Sequence, residues 1–277
     1  MTLEVILTGK DVKAGKLTSR DDGASPPTLS FEQFPDDTRI GTLTVNTNIR
    51  RLYSLGDRYM KDAIVQKFEG SVGIDMPLYD KNFLSDLLTS VPFGDLVIQY
   101  PSFVRVLNDF VPQRVEVSIR EDELVRVSAD GVFAKEEELT GYDVSSTEPS
   151  AVYPTHINAS ITDVDGVTNV KVRSATIRVN LNNELKWGLH SRFAKAVVPK
   201  QIEVETTIEA IIDKSMLDKI LADTQTAVDI TLTVSVGETT MTIKVEGAYL
   251  DSVAEPIEPN TEVYATLTYI GKKVVIS

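Results

Sequence analysis

The chain has no cysteine. That removes disulfides, thiolate metal sites and cysteine nucleophiles together, and it leaves the redox environment open. Histidine is nearly absent as well. His156 and His190 are the only two, so a histidine-rich metal site cannot be assembled and a triad would rest on one isolated ring; each reads as a satisfied surface or turn residue. No run approaches the roughly 18 apolar residues of a membrane-spanning helix. The opening MTLEVILTGKDVK lacks the basic start and long apolar centre of a secretion signal, so synthesis in a cytoplasm with no membrane partner is expected. Positive charge is in short supply too, with 28 Lys and Arg against 41 Asp and Glu, a net charge of −13. Affinity for nucleic acid comes largely from Lys and Arg neutralising phosphates, so this balance argues against gripping DNA. It is compatible with plain solubility, or with a surface that DNA slides past.

Chemical motifs are equally scarce. Asp163-Val-Asp165-Gly166 has the opening of a calcium loop but lacks the later ligands and the bidentate Glu, and a hairpin turn explains it better. Asn158-Ala-Ser160 fits a glycosylation acceptor in form only, since no signal peptide accompanies it. Glu203, Glu205 and Glu209 share one face of a strand whose other face carries Ile202, Val204, Ile208 and Ala210. Acid–base catalysis needs two carboxylates in unlike surroundings, and an open alternating strand gives them like surroundings. No phosphate-cradling glycine loop or zinc-protease motif is present. No cofactor, metal or enzymatic activity is expected.

What the chain does contain is a repeat. With 42% hydrophobic and 25% charged residues it has the composition of a folded protein, and Thr42–Lys61 recurs at Thr176–Lys195, a displacement of 176 − 42 = 134. Thr42, Val45, Asn46, Asn48, Leu55, Arg58 and Lys61 meet identical residues, and Tyr53/Trp187 and Tyr59/Phe193 exchange like for like. Further on, DKNFLSDLL at Asp80–Leu88 meets DKSMLDKIL at Asp213–Leu221. Strand, turn, strand and helix recurring in one order indicate a duplicated unit. We therefore expect an α+β fold, mainly β, of two tandem homologous β-sandwich domains, each with one packed helix. The expected domains are 1–147 and 148–277, joined through a linker at Val144–Ser150.

Along the chain, Leu3, Val5 and Leu7 suggest a short strand, and Lys10–Asp37 reads as a long loop or arm. Residues 67–76 alternate with strand period, and Asp80 leads a helix whose Phe83, Leu84, Leu87 and Leu88 form one apolar stripe. Val91–Pro112, with Phe93, Tyr100, Phe103 and Phe110, has no match in the second repeat and reads as an insertion. It either covers its own core or offers a contact surface. Val115–Arg120 followed by Asp130-Gly131 is set against Ile230–Val236 followed by Glu246-Gly247 as one hairpin present twice. Two strands hinged at Asp165-Gly166 open the second repeat. A terminal hairpin, Glu262–Tyr269 with Lys273–Ile276, is expected to lack a counterpart.

The second copy, with VNLNNEL running into WGLHSR (Trp187–Arg192), a proline, an alternating strand and a short Asp-led helix, resembles the tail tube proteins of long-tailed bacterial and archaeal viruses. The first copy keeps VNTN, LGDR and the helix. The resemblance implies a structural virion protein whose sheets join around a ring of six domains, with rings stacking into a tube that conducts double-stranded DNA without binding it specifically. Two domains per chain then imply a homotrimeric, pseudo-hexameric ring. The implied partners are further copies, the tail terminator, the tip or baseplate and the tape measure protein. Glu203, Glu205 and Glu209 become candidates for the lumen wall. Arg58, Arg192, Tyr53, Trp187, Phe103 and Phe110 become candidates for contacts between domains or rings. Two rival readings remain: a ring protein of the tail tip or baseplate hub, and a β-sandwich binding module such as an adhesin.

Overall fold

The computed structural model of the protein describes residues 12–46, 49–52, 62–65, 67–149, 153–155, 159–163, 172–189, 191–211, 227–236, 239–254 and 264–277. The first half carries β1 (Lys13–Asp21), β2 (Thr28–Gln33), β3 (Arg39–Ile40), β4 (Thr44–Asn46), β5 (Ile49–Leu52), β6 (Asp62–Val65), β7 (Glu69–Pro77), helix α1 (Lys81–Thr89), β8 (Gly94–Gln99), β9 (Val104–Arg120), β10 (Arg126–Phe133), β11 (Lys135–Leu139) and β12 (Asp143–Thr147). The second carries β13 (Ala159–Asp163), β14 (Val172–Asn180), β15 (Glu184–Trp187), β16 (Ala194–Val198), β17 (Glu203–Ile211), β18 (Val228–Val236), β19 (Thr239–Ala254), β20 (Tyr264–Gly271) and β21 (Lys273–Ile276). The protein is mainly β.

One antiparallel sheet crosses the whole molecule in the order β4, β7, β10, β9, β14, β17, β20, β19. Alternation sorts its side chains. Val72, Ile74, Val115, Val117, Val127, Ile177, Val204, Ile208 and Leu267 are buried in a single core running through both halves, while their neighbours along each strand are polar. Asp80 caps α1 by accepting the amide of Asn82 at 3.0 Å, and Phe83, Leu84 and Leu87 bury against this core. The Asp213–Leu221 helix lies outside the described residues, as do the Leu3–Leu7 strand, Asp165-Gly166 and both histidines.

Two long strands each serve two sheets. The beginning of β9 pairs with β8 and β11 and its end with β10 and β14. The beginning of β19 pairs with β18 and β21 and its end with β20. Each strand turns at a residue in the left-handed region, Asp109 at φ 54° and Gly247 at φ 61°. In both cases an aspartate of the neighbouring strand accepts the amide of that residue, Asp95 at 2.8 Å and Asp229 at 3.0 Å. One residue separates β10 from β11 and β20 from β21; these residues, Ala134 and Lys272, donate to the carbonyls of Asn108 and Glu246, both at 3.0 Å. The strand path β1, β4 to β11 is thus followed again by β13 to β21.

The observed pairing corrects five expectations. Val91–Pro112 is not an extra loop: it holds β8 and the beginning of β9, which occupy the places of β18 and the beginning of β19. β20 and β21 do not form a hairpin with each other but flank the two arms of β19, as β10 and β11 flank those of β9. β13 pairs with β18 rather than with β14. The interval Lys10–Asp37 is largely strand, because β1 and β2 form an antiparallel pair. Most of the Val144–Ser150 segment is likewise strand, since β12 runs parallel to β2.

β1, β2 and β12 extend a second sheet in the order β12, β2, β1, β8, β9, β11. Its edge strands β11 and β12 are joined through residues 140–142 alone, a span of about 10 Å at most, so the sheet curls around a small core of its own. Leu29, Phe31, Val97, Val104 and Val106 fill that core, none more than 4% exposed.

Candidate functional site

The long sheet presents one continuous polar face. Glu203, Glu205 and Glu209 lie on it, on β17, with Val204, Thr206, Ile208 and Ala210 buried behind. The alternation predicted this placement, except that Ile202 does not join the buried set and is 51% exposed. Register then sets charges opposite one another. Arg178 faces Glu116 on one side and Glu205 on the other, and its guanidinium reaches them at 3.0 and 3.3 Å. Arg114 meets Asp130 at 2.6 Å, and Arg126 holds Asp75 at 3.0 Å and Asp37 at 2.6 Å. Arg173 lies 3.4 Å from Glu209, whose other oxygen accepts from Ser174 at 3.1 Å. Arg114, Arg126, Arg173 and Arg178 on this face are therefore each engaged by a carboxylate, which weakens their attraction to a passing polyanion. Sequence reading found the glutamates but not their partners, because Glu116, Arg178 and Glu205 become neighbours only through the register of three strands distant in the chain.

The second notable place is the junction of the halves, where β9 pairs with β14 over seven positions, Ser174↔Arg120 to Asn180↔Arg114. Beyond β14 the chain folds back over the first half. Leu181 donates its amide to Gln113 O at 2.8 Å, Asn183 donates its side-chain amide to Pro112 O at 2.8 Å, and Phe68 donates to Arg192 O at 2.8 Å. Phe193 packs on Phe68 with centroids 5.7 Å apart, and Lys67 lies 4.5 Å from the Trp187 ring. A cleft of about 440 Å³ at this junction is lined by Asn46, Gln113, Val132, Asn183, Leu185 and Trp187, among others. Glu184, also on its wall, is hydrogen-bonded by Lys186 and Lys200, which hold its carboxyl down at about 2.

The expected contact residues thus divide. Trp187 and Arg192 belong to the segment that bridges the halves, and the Arg192 guanidinium lies 5.9 Å from the Phe193 ring. Tyr53 and Arg58 lie outside the described residues. Phe110 is wholly buried and packs on Phe93 at 6.3 Å, so it is a core residue and not a contact surface. Phe103 stacks on Tyr100 at 4.3 Å with the Arg105 guanidinium 5.8 Å from each ring. No group of three or more His, Asp or Glu among the described residues is arranged to hold a metal ion, and no helix among them is long and apolar enough to cross a membrane.

A search of curated proteins returned no match. The family described as phage tail tube protein matches residues 11–271, nearly the whole chain. A mainly β protein with a sheet shared between two halves, a paired-charge polar face and this match are consistent, and the chain belongs to the phage tail tube protein family.

Proposed function

We propose that the protein is two tandem tube domains, 1–147 and 148–277, and that three copies form a pseudo-hexameric ring whose stacking builds a viral tail tube. The observation that carries this reading is the long sheet. Its strand order in the first half, β4, β7, β10, β9, repeats in the second as β14, β17, β20, β19, and the two sets are already joined edge to edge. A sheet that repeats by edge addition and, among the described residues, still has open edges needs closure to avoid uncontrolled association. The polar face lines the lumen in this arrangement, with Glu203, Glu205 and Glu209 on the wall and Arg173 and Arg178 paired to the last two of them. Double-stranded DNA then moves past a surface with little hold on its phosphates.

Purified protein should sediment as trimers at moderate concentration and show long hollow tubes in negative stain. Single rings that never stack support the tail-tip hub instead. Monomers at every concentration overturn the ring.

A further inference from the structure

Inside one chain, the second half shields part of the first. Phe68 is 5% exposed and Val111 is fully buried, and Val132 lines the junction cleft, where Leu185 and Trp187 stand over it. The strand correspondence assigns each an equivalent. Phe68 precedes β7 as Ile202 precedes β17, and the β9–β10 pair Val111↔Val132 corresponds to the β19–β20 pair Tyr249↔Ile270. Those three counterparts are among the few large apolar residues left open among the described residues, with Ile202 51%, Tyr249 41% and Ile270 51% exposed. The backbone shows the same asymmetry. The end of β9 has β14 alongside it, whereas the end of β19, Tyr249–Ala254, pairs on one side only among the described residues, and so does β4.

We infer that these two open edges are one interface, made between copies: the end of β19 of one chain pairs antiparallel with β4 of the next, and the hairpin that follows β4 covers Ile202, Tyr249 and Ile270. The internal junction fixes the register. It sets Asn180 opposite Arg114 and Arg178 opposite Glu116. Asn46 and Thr44 align in sequence with Asn180 and Arg178. Ser252 and Ala254 stand where Arg114 and Glu116 stand, because Thr268 pairs with Ser252 as Asp130 pairs with Arg114, next to a bulge in each strand. Asn46 therefore meets Ser252, and Thr44 meets Ala254. At the internal junction the direct hydrogen bond falls at Leu181 and Gln113, so Asn180 and Arg114 form a non-hydrogen-bonded pair, the closely spaced kind with Cα atoms about 4.5 Å apart. The matching positions between copies are then within reach of a disulfide. The interchain joint also differs from its template: Thr44 and Ala254 replace the Arg178–Glu116 ion pair, so apolar cover carries more of the contact.

The inference rests on the ring reading, and the absence of native cysteine gives a clean test. The full-length variant Asn46→Cys with Ser252→Cys, mildly oxidised, should run in denaturing gels as dimers and a terminal species of three chain masses. Each single variant should give far less, and Thr44→Cys with Ser252→Cys, which faces the wrong residue, should cross-link weakly. Ile202→Lys should reduce assembly at least tenfold in concentration while leaving the thermal midpoint of the monomer unchanged; Val91→Lys, exposed but remote from these edges, should assemble normally. Trimers or tubes that form without the Asn46–Ser252 cross-link overturn the register while the ring reading stands. Protein that stays monomeric in every form overturns both.

Discussion

At the scale of single residues, the two halves solve one packing problem in opposite ways. Gly70 lies opposite Phe133 on β7 and β10, and a Cβ on Gly70 would sit 2.2 Å from that ring. At the matching positions Val204 lies opposite Gly271, so the large residue has changed strand while the pair keeps one large and one small member. Gly70→Val should destabilise by about 3 kcal/mol through overpacking, and Phe133→Ala by about 3–5 kcal/mol through the cavity it leaves. The double variant should lose at least about 1 kcal/mol less than the sum, because the new valine enters the vacated space. Denaturant melts of the four proteins give the coupling directly, and strict additivity would refute it. The strand kinks supply a second case. Gly247 is at φ 61° while its counterpart Asp109 tolerates φ 54°. Gly247→Val should therefore cost about 2 kcal/mol, whereas Gly247→Asn, a residue that visits the left-handed region readily, should cost less than half of that.

At the scale of elements, the curled sheet of the first half is fastened where β1, β11 and β12 approach. Arg20 reaches Glu137 and Asp22, both at 2.7 Å, Tyr142 donates to Asp22 at 2.6 Å, and Lys135 also engages Glu137. Lys135 and Arg20 hold the Glu137 carboxyl below its ordinary 4.5, and Arg20 and Tyr142 hold Asp22 below 3.8. Both groups have lowered values in the folded state, so their contribution is complete above the ordinary values and is lost as pH falls through the lowered ones. Amide exchange in β11 and β12 should accelerate relative to β7 and β10 as pH drops below about 4.5, after correction for the intrinsic rate. An unchanged ratio down to pH 3 would show that the fastening contributes nothing.

Strands, helix α1 and the duplication were legible in the sequence because each rests on a local period. The correspondence between later strands was not. Val115–Ile119 and Ile230–Val236 alternate alike, and period two says nothing about which strand of a sheet is which. The informative signals were smaller: an Asp or Gly at each kink, and single-residue joints at Ala134 and Lys272. β1 was missed for a different reason. Its KAGKLTSRD packs one residue fully and leaves most others half-buried, so the curled sheet imposes no clean alternation on it.

At the scale of the whole molecule, the distribution of charge bears on the proposed passage of DNA. The chain carries −13, and on the polar face of the long sheet Arg114, Arg126, Arg173 and Arg178 each lie beside a carboxylate. If this face lines the bore, the pairing matters more than the total, because an unpaired guanidinium would be repeated in every ring and would meet phosphate continuously. Replacing Glu203, Glu205 and Glu209 by Lys changes the chain by +6, from −13 to −7, and leaves Arg173 and Arg178 with one partner fewer each. The buried face of β17 is untouched, so rings and tubes should still form. Tubes of the triple variant should retain linear double-stranded DNA where unmodified tubes do not. Retention should fall steeply between 50 and 200 mM salt, by about 10³-fold or more if several phosphates are held at once. Virions carrying the variant should eject their genome more slowly in dilute buffer and recover in salt. Tubes that form normally and ignore DNA at every salt concentration would place these glutamates on the outer wall.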